Sequence, residues 1–369
     1  MTFAHTPIYD KKVQQFHGGQ DWKHLDNFIE DFSVTTNALG TPSKSLEYAK
    51  TAIDECCHYP PINQEPAKSK LSHFLFGENY SDHSNRLLLG NGASEVIDLV
   101  IRHASKTATK FKSGPFCAQY KEYERAAKSN GFSVIDALSP DKVDLACLVN
   151  PCNPTGDYLN VQQQLEWIEK NVIDGGFVLL DESMQIWHSS QFREFSLLSK
   201  QTMLLDLFVK RNIQVFIIHS WTKIWSCTGL RLGSIVCPTE AAATELKLIQ
   251  IPWSVNVIAL KFLEHVVEDE EYLEKTWQVT PVWRKYSTDK LKEFYPQWKC
   301  YGEDFLSWIW VDTKNEKIAD SAVELAKEAG VPIRSGRPGY NLPTFIRIAV
   351  REPEKFDILL NSFSKIDQK

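Results

Sequence analysis

Val143-Asp144-Leu145-Ala146-Cys147-Leu148-Val149, followed by Asn150-Pro151-Cys152-Asn153-Pro154-Thr155-Gly156, is the stretch that decides how this chain is read. The first seven residues form an apolar run of strand length, and the next seven are turn-forming. A helix follows. Asn160 can cap it, Val161, Leu165, Ile168 and Val172 recur at helical spacing, and Gly175-Gly176 is expected to stop it. Phe177 to Leu180 is then a second apolar strand, ending at Asp181-Glu182. Two buried strands joined by one helix make a parallel βαβ unit.

The same alternation extends in both directions. Arg86 to Leu89 predicts a strand that ends at Gly90-Asn91-Gly92 and leads into a helix with Val96, Ile97, Val100 and Ile101 on one face. Ile213 to Ile218 predicts another strand, ending at His219-Ser220. The last third has a long helix over about 270–293, strands at Phe305–Val311 and Thr344–Val350, and a helix face of Ile318, Ala322, Leu325 and Ala329 closed by Gly330. A final helix starts from Glu352. The expected fold is α/β. A large domain over 43–270 carries a mostly parallel sheet flanked by helices. A smaller α/β C-terminal lobe covers 271–369, and an N-terminal arm, 1–42, packs with it.

Composition bounds the function. A length of 369 residues suits two lobes, and 43% apolar with 24% charged residues is an ordinary globular balance. Net charge is 41 − 47 = −6, with no basic block, which argues against nucleic acid as a partner. Apolar runs such as Val215-Phe216-Ile217-Ile218 are far shorter than a membrane span, and Met1 to Pro7 lacks the pattern of a signal peptide. The eight cysteines form no C-x-x-C pair, so reduced thiols in a cytoplasmic compartment are expected. The ten histidines show no metal-ligand spacing, and no metal is expected.

In open parallel sheets, ligands bind beyond the carboxyl ends of the strands. The unusual residues stand there. Gly92-Ala93-Ser94 opens a helix whose free N–H groups suit an anion, although a tight strand–helix turn would look the same. Asn153-Pro154-Thr155-Gly156 is a rigid turn. Asp181, taken alone, could be a cap or an ion-pair partner, and Lys223 alone a surface lysine. The setting of Lys223 is more telling: Ser220-Trp221-Thr222-Lys223, then Gly229-Leu230-Arg231-Leu232-Gly233, places an amine among hydroxyls with an arginine eight positions on. One cofactor explains the parts together. Pyridoxal phosphate needs a lysine, a carboxylate for its ring nitrogen, a donor to its ring oxygen, a stacked aromatic and a phosphate cup.

In this order the motifs resemble the fold type I pyridoxal-phosphate enzymes of the class I/II aminotransferase family. The resemblance implies that Lys223 forms the Schiff base, Asp181 partners the pyridinium, Asn153 donates to the ring oxygen and Tyr120 stacks on the ring. Ala93, Ser94, Ser220, Thr222 and Arg231 would form the phosphate cup. Arg347 would hold a substrate acid group. Tyr59, in His58-Tyr59-Pro60, is similar to the tyrosine that reaches the neighbouring subunit's cofactor phosphate, which implies a homodimer with shared sites. Trp221, Trp225 and Trp253 are expected to flank the site.

Within the family the chain is similar to the histidinol-phosphate aminotransferase and threonine-phosphate decarboxylase branch. His17-Gly18-Gly19, Pro252-Trp253-Ser254-Val255-Asn256 and Ile333-Arg334-Ser335 lean toward the decarboxylase, and make His17, Gly18 and Arg334 substrate-binding candidates. Two positions depart from the family. Met184 stands where a Tyr or Phe is usual, so the ring oxygen would rely on Asn153, and Thr35 replaces an Asn of the arm. The expected activity is transamination of an amino acid or phosphorylated amine. The alternative is decarboxylation of a phosphorylated amino acid. A non-catalytic cofactor-binding module is a third reading; it would need an attached DNA-binding domain, for which the short, non-basic N-terminus leaves little room.

Overall fold

The computed structural model describes residues 18–366. They divide into two compact units. The larger takes 39–153 and 157–278, and the smaller takes the described part of the arm up to Ala38, Pro154–Gly156, and the chain from Val279 onward. The division at 278/279 falls inside one helix, Glu270–Phe294.

The larger unit is built on a seven-stranded sheet: β1 (Leu87–Asn91), β2 (Lys110–Ser113), β3 (Ser133–Ile135), β4 (Val143–Val149), β5 (Val172–Asp181), β6 (Gln214–Ser220) and β7 (Leu232–Val236), in the order β1-β7-β6-β5-β4-β2-β3. Neighbours from β6 through β5, β4 and β2 to β3 are parallel. Strand β7 is antiparallel to both β1 and β6, so β1 runs in the same sense as β6. The carboxyl ends of β1, β4, β5 and β6 therefore share one edge of the sheet, and Asn91, Val149, Asp181 and Ser220 stand on it. Burial on both faces explains the apolar runs Leu145–Val149 of β4 and Val215–Ile218 of β6.

The helix Ala93–Ala104 packs Val96, Ile97, Val100 and Ile101, all buried, into the main core. The next expected helix is corrected at its end. It runs Val161–Asn171 under a complete capping box between Asn160 and Gln163. Val172 has extended geometry and already belongs to β5. Gly175-Gly176 therefore does not stop the helix but lies inside β5, where the register against β4 jumps from Val143/Val172 to Leu145/Phe177 and Gly175 adopts φ +78°.

The smaller unit has a four-stranded antiparallel sheet. Its strands are β8 (Lys299–Tyr301), β9 (Trp308–Asp312), β10 (Arg334–Ser335) and β11 (Phe345–Ala349), in the order β10-β11-β9-β8. The arm is tied to this unit by the buried Arg351, whose Nη2 donates to the carbonyls of Asp31 (2.6 Å) and Val34 (3.1 Å) while its Nε pairs with Glu30 at 3.1 Å. Among the described residues, no helix is long and apolar enough to cross a membrane.

One close approach sets up the site. β1 and β7 pair Gly90 with Gly233, and a Cβ on Gly233 would lie 2.4 Å from both the Ala93 nitrogen and the Gly92 carbonyl carbon. Backbone cannot yield as a side-chain tip can. Gly233→Ala should therefore cost about 1–3 kcal/mol in urea unfolding. Gly229→Ala, where an added Cβ meets nothing within 4 Å, should stay within about 0.5 kcal/mol of wild type.

Candidate active site

Asp181 ends β5 and is 6% exposed. Its Oδ2 accepts from the Tyr123 hydroxyl at 2.8 Å, and its Oδ1 accepts from the Ser183 backbone N–H at 2.8 Å. Burial pushes its pKa up; the bonds from Ser183 and Tyr123 and the charge of Lys223 pull the other way without cancelling the rise. No cationic side chain lies within 4 Å of it among the described residues. Tyr123 is fully buried, and burial together with Asp181 raises its pKa well above the usual phenol range, so it remains a neutral donor.

Beyond β6, the Lys223 Nζ donates to the Thr222 Oγ1 at 3.0 Å, and that oxygen is 2.9 Å from the Ser220 Oγ. The Ser220 N–H donates to the Ser183 Oγ at 2.7 Å, which joins the ends of β5 and β6. Ser220, Thr222 and Lys223 are thus one hydrogen-bonded chain in the field of Asp181. Gly92 has φ +76°, and a Cβ there would lie 2.1 Å from the Arg231 Nη2. Only glycine lets that guanidinium lie across the start of the helix at Ala93 and Ser94, whose first N–H groups have no partners within the helix.

The remaining candidates of this unit are also placed. Tyr120 packs against the core and meets the Tyr123 ring edge-on at 6.3 Å. Asn153 follows β4 and is half-buried. Tyr59 is 78% exposed and stacks on Trp253 at 4.4 Å. Trp221 and Trp225 are buried and stacked on each other at 5.2 Å. Met184 is buried, and its thioether has no hydrogen to donate.

In the smaller unit, Arg334 and Arg347 are buried and stand directly opposite each other on β10 and β11. Burial, then the charge of Arg347, pushes Arg334 down to about 10. Like charges in register are unfavourable unless an anion joins them. The Arg347 Nη2 donates to the Ser33 carbonyl at 2.6 Å, and the Arg334 Nη2 to the Pro338 carbonyl at 3.3 Å. Gly18 lies against that same Ser33, where a Cβ would come within 2.7 Å of the carbonyl oxygen. Thr35 is buried, and its carbonyl accepts from the Ser307 hydroxyl at 3.0 Å. His17 lies outside the described residues.

A family model for class I and II aminotransferases matches residues 31–363. The chain belongs to that family. It is 26% identical over 359 residues to histidinol-phosphate aminotransferase 2 of Pseudomonas aeruginosa, covering 92% of this chain and 89% of that protein. It is 28% identical over 360 residues to the adenosylcobalamin biosynthesis bifunctional protein of Leptospira interrogans, covering 92% of this chain but spanning only 39% of that longer protein. Its fold matches the pyridoxal-5'-phosphate complex of histidinol-phosphate aminotransferase from Sinorhizobium meliloti, with a TM-score of 0.76 at 15% identity and 98% of each chain covered. The enzyme is thus a pyridoxal-phosphate-dependent aminotransferase.

The residues present fit that cofactor. A buried carboxylate bonded by the Tyr123 hydroxyl and by the Ser183 N–H and hydroxyl, with no cation in contact, is suited to one, and a protonated ring nitrogen would supply it. The glycine that admits Arg231 to a helix N-terminus suits a phosphate. Two contributors escape a reading of the sequence alone. Tyr123 sits three positions after Tyr120 and reads as another helix aromatic, while Ser183 reads as turn filler. Their roles depend on contacts that form only on folding.

On the other side of this aminotransferase's β5–β6 edge, Glu182 is buried. Its Oε1 accepts from the Leu197 N–H at 2.9 Å, and its Oε2 from the Ser196 hydroxyl. Burial raises it to about 7, and burial lowers the neighbouring His219, 3.9 Å away, to about 3, so both are neutral in mildly acid solution. His219 is stacked on Trp221 at 4.9 Å.

Two outcomes follow. Tyr123→Phe removes a donor to a buried carboxylate, worth about 1.5–3 kcal/mol, and the cofactor-free protein should lose about that much stability in urea unfolding. Glu182 binds its proton more tightly folded than unfolded, so its stabilisation is full below pH 4.5 and is lost as pH rises through 7. Wild type minus Glu182→Gln unfolding free energy should therefore fall by about 3 kcal/mol between those limits and then level off. The titration of His219, common to both proteins, cancels in the difference.

Proposed function

We propose that this aminotransferase acts on an amino acid or phosphorylated amine, with Lys223 as the Schiff-base lysine, Asp181 as the partner of the ring nitrogen and Arg347 and Arg334 holding the substrate's acid group. The observation that carries the reading is the buried Asp181 carboxylate, fixed by Tyr123 and Ser183 and lying in the field of Lys223.

Bound pyridoxal phosphate supplies an electron sink for the pair left at the substrate's α-carbon. The residues supply the rest. Asp181 holds the proton on the ring nitrogen, and its seclusion from water strengthens that hold. The Lys223 Nζ moves the α-proton, oriented by its hydrogen bond to Thr222. Tyr120 covers the ring face and Asn153 donates to the ring oxygen. Ala93, Ser94, Ser220, Thr222 and Arg231 hold the phosphate. The paired guanidiniums Arg334 and Arg347 suit a carboxylate or phosphate, and bidentate holding fixes which α-bond can break. Gly18, packed on Ser33 beside Arg347, and His17 contribute to the same acid-group site.

The working form is a homodimer. Tyr59 supports this: a large aromatic left mostly exposed and braced on Trp253 suits contact with a partner subunit's phosphate. A cytoplasmic location is supported by the eight cysteines, all of which are free thiols.

The test offers histidinol phosphate and O-phosphothreonine, each as sole substrate, to the loaded enzyme. Transamination predicts stoichiometric pyridoxamine phosphate and a carbonyl product, then arrest until an acceptor is added. Carbon dioxide release with continued turnover and no acceptor would contradict it and establish the decarboxylase. Lys223→Ala should lower the rate by roughly 10²–10⁴-fold or more.

A further inference from the structure

At the opposite edge of the large sheet from Asp181 and Lys223 there is a cavity of about 260 Å³. It is bounded by the residue before β1, the beginning of β6, the turn after β7 and the helix Gln201–Arg211. Its walls are largely apolar, from Leu204, Leu205, Phe208, Val215 and Pro238, with His83, Gln201 and Thr202 as the uncharged polar lining beside Arg86. Leu205 is 60% exposed at its rim, an apolar side chain left to water beside an apolar hollow.

The one cationic side chain lining this cavity is that of Arg86. It is held in place. Its Nε donates to the Cys237 carbonyl at 2.8 Å and its Nη1 to the Gln201 Oε1 at 2.7 Å, with the His83 Nδ1 at 3.5 Å. Gln201 is itself anchored, its Nε2 donating to the Leu198 carbonyl at 2.6 Å. These partners are carbonyls, an amide and an imidazole, whose pKa is lowered by burial and then by the Arg86 charge. Among the described residues no carboxylate lies within 4 Å of the guanidinium. The acid whose charge reaches it, Glu240, is engaged by Asn85 at 3.3 Å. A partly buried, immobilised charge with no carboxylate in contact is costly, and burial pushes the guanidinium's pKa down against the pull of the more distant Glu240. A single cation among apolar walls matches one negative charge on a hydrocarbon body. A phosphate dianion would lack a second cation, and a neutral apolar molecule would leave the guanidinium uncompensated.

We infer that this cavity is a second ligand site, remote from the cofactor residues, that binds a small apolar monocarboxylate with its carboxylate on Arg86 and its hydrocarbon body against Leu204, Leu205 and Phe208. The inference is independent of which substrate the enzyme transaminates.

The probe is cyclohexanecarboxylate, titrated calorimetrically into the holoenzyme, with cyclohexanecarboxamide as its neutral twin. Saturable binding of the acid is expected, with the amide at least tenfold weaker. Arg86→Gln should weaken the acid about 10- to 150-fold, the loss of one charged hydrogen-bond partner. Leu205→Glu, at an exposed position, should weaken it comparably with an unchanged transamination rate. Arg347→Gln should leave acid binding intact. Absence of saturable binding, equal binding of acid and amide, or loss with Arg347→Gln but not with Arg86→Gln would each overturn the assignment. Since Leu205 lines the cavity at an exposed position, loss of acid binding in Leu205→Glu but not in Arg347→Gln keeps the inference testable even if Arg86→Gln unfolds.

Discussion

The larger unit is organised around a carboxylate kept out of water. Asp181 is placed at the end of a buried strand, gripped by a buried phenol and a backbone N–H, and given no ion pair. That arrangement is unfavourable for the protein alone, because the hydrogen bonds and the charge of Lys223 do not offset the desolvation. It becomes favourable when a cation is added at the open side. Much of the surrounding architecture serves this condition. Parallel strands bring Val149, Asp181 and Ser220 to one edge, Ser183 bridges β5 to β6, and Gly233 lets β7 press on the helix start at Ala93.

The second charged feature has the opposite sign. Arg334 and Arg347 are fixed in register on neighbouring strands, so their separation is set by backbone pairing and not by side-chain choice. The arm reinforces this, since the Ser33 carbonyl takes one of the Arg347 donors and Gly18 packs on the same residue. Two guanidiniums held in register, with burial and Arg347 lowering the pKa of Arg334, make a surface suited to an acidic group. Glu182 and His219 show the contrary solution. Buried side by side, they are both neutral below about pH 7, and Glu182 locks the end of β5 to the segment at Ser196 and Leu197.

Much of this was legible in the sequence because it is local. Strand β4 is an apolar run from Leu145 to Val149, and Asp181 and Ser220 each end such a strand, so their place on the sheet edge and that of Lys223 just beyond it could be read directly. What was not legible is what depends on pairing. Gly175-Gly176 looks like a helix stop because glycine serves stops and bulges alike, and only the β4–β5 register tells them apart. Tyr123 reaches Asp181 across 58 positions of sequence, and Arg334 meets Arg347 only once β10 and β11 align. Strand β7 is short and follows directly on the arginine loop, so its antiparallel place between β1 and β6 left no periodic signal.

The central claim is that Asp181 is a charge awaiting its partner, and the stability of Asp181→Asn in the apo and cofactor-loaded forms tests it most directly. The substitution removes a buried carboxyl group that has no cation in contact, so the apo variant should be as stable as wild type or more so. The loaded variant should lose most of the stabilisation that pyridoxal phosphate confers, with cofactor affinity reduced by about 10- to 150-fold, as for loss of a hydrogen bond between charged groups. An apo variant clearly less stable than wild type, or one that the cofactor stabilises as much as it does wild type, would contradict the account.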